Sequence, residues 1–218
     1  MVHMQRSSTV KLLVPFYRQT SEFTCGPACL MMAMKFFQPS LRLSRELEFD
    51  IWREANLVES YGTSKEGLAL AAARRGFEAY TMGRSLRHSF VDVIRDKIPG
   101  VEVAVLELLY NDVRRKFRAM GLRNKSDRVL LSTIKRVLMK SCVPILFTST
   151  SLFREKTDPL PHWVVVTGHE GKGWYLNNPL ARSPHTSVGH KELQSNLGFR
   201  GVRCAVVVCG RGQNYCRD

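Results

Sequence analysis

The sequence predicts an α+β fold, helical in its front part and sheet-forming at its back. Two observations carry this reading. Up to about residue 140 the chain is a series of apolar or amphipathic stretches bounded by helix caps and stop signals. From Val143 onward, short runs rich in β-branched and aromatic residues alternate with Gly, Asn, Pro and Ser breaks, as in an antiparallel sheet. Helices followed by strands, rather than alternating with them, argue α+β. The chain has 218 residues, 44% hydrophobic and 24% charged. That suffices for one soluble domain with a real core and no disulfide staples.

Residues 1–10 are expected to be a disordered arm, 11–210 a single domain and 211–218 a tail. A short strand over 11–14 ends at Pro15. The first helix begins at Thr24 or Cys25, runs through LMMAMKFF to Gln38 and stops at Pro39. Pro27 suits its first turn, where a missing N–H costs nothing. Ser44 caps a second helix that continues to Asn56. Thr63 and Glu66 form a capping box for a third, GLALAAARR, which Gly76 ends. A short strand over 77–82 follows, then helices over 85–97, 102–120 and 126–140. The strands of the back part are 143–148, 163–167, 174–176 and 202–208.

No apolar run approaches the roughly 20 residues of a membrane helix. The start, MVHMQRSSTV, lacks the apolar stretch of a secretory signal, so a cytoplasmic location is expected. The six cysteines are accordingly expected as reduced thiols, most of them small buried hydrophobes. Cys142, Cys204 and Cys209 lie in or beside apolar strand-like runs. The net charge is +14, and between Asn111 and Lys140 ten basic residues face two acidic ones. Such a field favours an acidic partner. The plainer reading is a solvated helix face. No nucleic-acid motif accompanies the charge, so nucleic acid is not an expected partner.

The segment QTSEFTCGPACLMM carries the chemistry. Cys25 falls where a loop turns into an apolar helix. Unpaired N–H groups and the positive end of the macrodipole favour thiolate there, and thiolate is the attacking species. Gly26 would let a substrate carbonyl approach the backbone. Acyl transfer also needs donors for the developing oxyanion. The Cys25 N–H can be one, and the amide of Gln19, six residues upstream, the other.

Among six histidines, His162 in PLPHWVVVTGH heads an apolar strand that can hold its ring rigidly. His169 reads as a turn residue, and His3, His88, His185 and His190 as solvated. Asn178 in WYLNNPL is the candidate to orient the imidazole, because neighbouring antiparallel strands could bring the two together. Asn177 is the rival, but successive strand residues face opposite ways. Taken singly, each of these residues has a structural explanation: a surface glutamine, a strand-edge histidine, an Asn-Asn-Pro turn. The order Cys, His, Asn, with partners 137 and 153 residues after the cysteine, fits a papain-like enzyme.

The string Q-x5-C-G-P-A-C-L, with PHWVVVTG and a later N-P, resembles the bacteriocin-processing peptidases, papain-like domains that trim double-glycine leader peptides. The features VPFYRQTSEFTCGPACLMMAMK, WREA, GLALAAARRGFE and VPILFTSTS are similar to a cytosolic bacterial branch of peptidase-like proteins. The resemblance implies a papain-like cysteine hydrolase without a cofactor, acting on a peptide or protein. By it, Gln19 matches the oxyanion-hole glutamine, Cys25 the nucleophile and His162 the base. Asn178 stands where the family usually has Asp before Pro, which removes a negative charge beside the imidazole.

The main expectation is therefore a cysteine peptidase or amidase. The alternative is a catalytically weak module that grips an acidic peptide or protein. A metal site of Cys25, Cys29 and a histidine is a poor third, since Cys-x3-Cys within a helix is not a zinc spacing.

Overall fold

The computed structural model describes residues 9–56, 62–83, 103–153 and 159–212. Its first helix, α1 (Cys25–Phe37), is buried continuously from Gly26 to Met34. A helix apolar on every side must lie inside the protein. It packs on the sheet and is covered by α2 (Arg45–Ala55) and α3 (Lys65–Arg74). Ser44 caps α2 as expected, its hydroxyl accepting the Leu47 N–H at 3.3 Å. The cap of α3 is Ser64, which accepts the Gly67 N–H at 3.0 Å, and not Thr63. Thr63 makes an antiparallel bridge to Asn56, so its backbone is committed to an extended pairing.

After β2 (Glu78–Gly83) comes α4 (Val103–Ala119); the expected helix 85–97 lies outside the described residues. The next helix, α5 (Leu131–Met139), starts five residues later than the sequence suggests. The preceding stretch is held extended beside β2. Thr81 N–H donates to Arg123 O at 3.0 Å and Lys125 N–H to Thr81 O at 2.9 Å. Buried Lys65 reinforces this, donating from Nζ to Asn124 Oδ1 at 2.9 Å.

The remaining elements are β3 (Val143–Ser149), a 3-10 turn (Thr150–Leu152), β4 (Pro161–Glu170), β5 (Gly173–Asn177), β6 (Thr186–Gly189), α6 (His190–Ser195) and β7 (Cys204–Cys209). The sheet order is β2-β7-β3-β4-β5-β6, and β1 (Val10–Lys11) lies beside β4. All neighbours are antiparallel. This is the α+β, papain-like architecture that the sequence predicts. Val10 pairs with His169, so the expected arm does not extend to residue 10. His169 lies inside β4 rather than in a turn, its ring 4.6 Å from that of Trp174. A register shift between Val166 and Gly168 lets the strand continue through the glycine.

The cysteines depart from expectation. Cys142 and Cys209 form a disulfide across 67 residues of sequence. Val143 pairs with Val208, so the residues just outside that pair face each other directly, with Cα atoms 4.6 Å apart. Cys25, Cys29 and Cys204 are free thiols. No helix among the described residues is long and apolar enough to cross a membrane.

Candidate active site

The site forms where β5 leaves the sheet. The last residue of β5, Asn177, pairs with Val165, so β4 has no β5 partner at Trp163. On the other edge, Phe147 O accepts from Gly198 N–H and Ser149 N–H donates to Asn196 O, so these two residues face away from β4. The pair Phe147–Trp163 therefore turns the Trp163 N–H and C=O towards the open edge. Helix α1 fills that edge with sulfur. The Cys29 thiol donates to Trp163 O at 3.3 Å. The Trp163 N–H is directed at the Cys25 sulfur. Two cysteines one helical turn apart thus take up both backbone polar groups of Trp163, the residue after His162.

Cys25 is half-buried, and its thiol meets two opposing influences. Burial pushes it up to about 11; the N–H groups of Trp163, Gly26 and Cys25 itself pull it down. Burial wins, contrary to the low pKa that a helix N-terminus alone would give. In the free protein the sulfur therefore holds its proton, and three donors stand ready for the charge once that proton leaves. Burial raises Cys29 well above the usual thiol range, and it is a core thiol.

Gly26 does not leave space for a substrate. A Cβ at this position would run into the Thr63 hydroxyl, with Leu68 and Trp163 side chains at 3.2 Å. Its role is close packing of α1 on the start of α3.

His162 is 2% exposed. Its Nε2 lies 2.8 Å from Asn178 Oδ1. The same Oδ1 accepts the Leu180 N–H at 3.0 Å, an Asx-type turn. An N–H requires an acceptor, so the oxygen and not the nitrogen of this amide faces both partners. Nε2 must then carry hydrogen, which leaves Nδ1 as the basic nitrogen. Phe153 approaches the ring edge-on at 6.2 Å. Asn177 points elsewhere: it donates from Nδ2 to Val14 O at 3.1 Å and accepts the His185 N–H at 3.0 Å. The alternation argument for Asn178 over Asn177 matches this division.

Gln19 is tied to the same corner. Its N–H donates to Pro179 O at 3.0 Å, and its Nε2 donates to Ser21 O at 2.6 Å. The flipped amide would set two oxygens at that distance, so the orientation is fixed. Gln19 Oε1 is buried without a hydrogen-bond partner among the described residues. What holds this loop is a residue the sequence reading missed. Glu48 on α2 is fully buried. It accepts the Thr20 N–H at 2.9 Å, the Thr20 hydroxyl at 2.6 Å and the Tyr17 hydroxyl at 3.0 Å. Within RELEFD it reads as one more surface acid. Its spacing to buried Ile51 and Ala55 is the signal that places it on the inner face.

Three of the four candidate residues are thus gathered around the β4 edge and the Asn178–Pro179 turn, with Gln19 linked to that turn through its backbone. Among the described residues no group of three or more His, Cys, Asp or Glu is placed to hold a metal. The basic stretch places Arg118, Arg123, Arg128 and Arg136 on the exposed surface, and Asp112 pairs with Arg115 and Lys116.

No curated protein sequence matches the chain. Among solved structures, it is similar to a C39-like peptidase from Bacillus anthracis, at 13% identity and a TM-score of 0.53, covering 94% of this chain and 98% of that one. It is also similar to the peptidase domain of Streptococcus ComA, a bifunctional ABC transporter in a quorum-sensing pathway, at 17% identity and a TM-score of 0.50, covering 91% and 99%. These likenesses are of fold. The model of one family matches residues 14–195, most of the sequence, and the chain belongs to that family, the Peptidase_C39 like family.

Proposed function

We propose that the protein is a cysteine peptidase or amidase that cleaves a peptide or protein through a thioester on Cys25. The observation that carries this reading is the 2.8 Å contact of His162 Nε2 with Asn178 Oδ1, an oxygen that already accepts the Leu180 N–H. Asn178 occupies Nε2, so Nδ1 is the nitrogen able to accept a proton, and the N–H of the next residue, Trp163, receives the Cys25 sulfur. A histidine serving only as core packing has no need of a buried amide that selects its tautomer.

In this reading His162 Nδ1 takes the Cys25 proton as the sulfur attacks the substrate carbonyl carbon. The oxyanion is held by the Cys25 N–H and by the second amide hydrogen of Gln19 Nε2. The C–N bond then breaks, and His162 returns the proton to the leaving amine. Water attacks the thioester, loses a proton to His162 and releases the acid; the proton goes back to sulfur. Because burial keeps the free thiol neutral, the proton moves when substrate arrives rather than before. The positive surface favours substrates with acidic residues away from the cleaved bond.

A second reading, a binding module with little catalysis, draws on that same raised thiol and on Asn178 in place of an acid. The two separate on one experiment: incubation with a diverse peptide pool and mass-spectrometric detection of new termini. The peptidase reading expects cleavage by wild type and none by Cys25→Ala. Peptides retained equally by both forms, with no new termini, would favour the binding module.

A further inference from the structure

Two cavities continue the candidate site on the side of His162. The first, about 500 Å³, is lined by Asn178, Phe153, Leu152, Leu180 and Glu192 among others. The second, about 650 Å³, has Leu160, Asn196, Phe199 and Arg200 in its wall. Ser151 lines both, so they meet there. Among the described lining residues are neither Gln19, Cys25 nor His162 itself; the first cavity adjoins the site through Asn178 and Phe153, the neighbours of the His162 ring.

Chemistry decides which half of a substrate these cavities receive. The substrate oxygen must turn towards Gln19 and the Cys25 N–H. The leaving nitrogen must turn towards His162, which supplies its proton. The first cavity touches both neighbours of that ring, Asn178 at Nε2 and Phe153 at its edge. It therefore lies on the leaving-group side. Each cavity has a volume that accommodates a drug-sized ligand, far more than ammonia or a simple amine would fill. Among the described residues, Glu192 is the single charged residue lining the first cavity and Arg200 the single one lining the second. One Glu192 oxygen accepts the Gly189 N–H at 3.2 Å, and the Arg200 guanidinium lies over the Phe199 ring.

We propose, on the basis of the peptidase reading above, that the released amine is a peptide of at least two residues, the first cationic and the second carrying a carboxylate. Glu192 receives the cation and Arg200 the carboxylate. Ammonia and simple amines are not the natural leaving groups.

The test uses the reverse step, capture of the acyl group on Cys25 by added amines. Wild type is acylated with N-acetylglycine p-nitrophenyl ester, and products are quantified by mass spectrometry. Lys-Glu, Glu-Lys and methylamine are compared at equal concentrations of free base. The proposal expects capture by Lys-Glu to saturate and to exceed capture by methylamine by at least about tenfold, equivalent to one tenfold step in affinity. The exposed Ser151, changed to Trp, fills the junction between the cavities. It should lower the ratio of Lys-Glu product to hydrolysis product by about the same factor. The ratio is taken from one acyl-enzyme, so differences in acylation cancel. Capture by methylamine equal to that by Lys-Glu would overturn the site, and equal capture of Glu-Lys would overturn the charge order. The wild-type comparison decides this even where the variant does not fold. Absence of acyl-Cys25 in wild type would instead sink the peptidase reading itself.

Discussion

His162 Nε2 and Asn178 Oδ1 lie 2.8 Å apart, and the Asn178 oxygen is fixed in that direction by the Leu180 N–H. Removing this acceptor frees the ring to turn and to change tautomer. Asn178→Ala is expected to lower kcat/KM about 100-fold, within the range for displacing a general base. Asn178→Asp keeps both hydrogen bonds and adds a negative charge beside the ring. It is expected to retain activity and to move the acid limb of the pH–rate profile upward, because the carboxylate favours protonated imidazole. The pH dependence of kcat/KM for the three forms checks both.

Glu48 holds the loop that carries Gln19 through contacts to Tyr17 and Thr20. Three donors from Tyr17 and Thr20 converge on its buried carboxylate. Glu48→Ala leaves them unpaired and is expected to cost about 2 kcal/mol of stability in denaturant unfolding. It should also lower kcat as Gln19→Ala does. The double variant should lose little more than either single one, since in the proposed mechanism both changes remove the same oxyanion donor. Additive losses would mean that the loop keeps its place without Glu48.

Gly26 is required by α3 rather than by substrate. An alanine Cβ meets Thr63, Leu68 and Trp163. Gly26→Ala is expected to destabilise by about 1–3 kcal/mol, the usual cost of overpacking. Thr63→Ala should restore part of that loss in the double variant, measured by chemical denaturation.

The pH response of Cys25 follows from burial. Its raised pKa, about 11, keeps the thiol neutral through the physiological range. Alkylation by iodoacetamide tracks the thiolate, so its rate should rise about tenfold per pH unit up to pH 10, with no plateau near neutrality. The linked effect on stability has a definite sign. A thiol raised in the folded state contributes stability fully below the unfolded pKa and loses it as pH climbs through the folded value. Cys204, pushed up to about 12 by burial, acts in the same direction, so stability should fall above about pH 9.

Much of the candidate site's geometry was legible because it is local. A cysteine at a loop-to-helix junction, a histidine heading a strand and an asparagine ending the next strand can each be read from neighbours in sequence. The β4–β5 pairing ends at Val165 and Asn177, and the turn that follows brings Asn178 to His162. What was illegible depends on distant partners. Glu48 is an ordinary helix acid until Tyr17 and Thr20 reach it. Gly26 serves a threonine 37 residues away. Residues 126–130 have helix-compatible composition, but pairing to Thr81 in the stretch just before them delays α5. The Cys142–Cys209 bridge depends on the register of β3 against β7, which no local pattern reveals. The sign of the Cys25 shift was misjudged for a related reason: the helix terminus is visible in sequence, but the protein packed around the sulfur is not.

The most direct test of the central claim is the pre-steady-state reaction with N-acetylglycine p-nitrophenyl ester in wild type, Gln19→Ala and His162→Ala, with the acyl adduct mapped by peptide mass spectrometry. The account predicts a burst of p-nitrophenol matched by one acyl group on Cys25. The burst should slow by about 100-fold or more in His162→Ala and by a similar factor in Gln19→Ala, the scale for losing a general base or an oxyanion donor. Acyl groups spread over other residues, or a Cys25 burst of unchanged rate in His162→Ala, would contradict it.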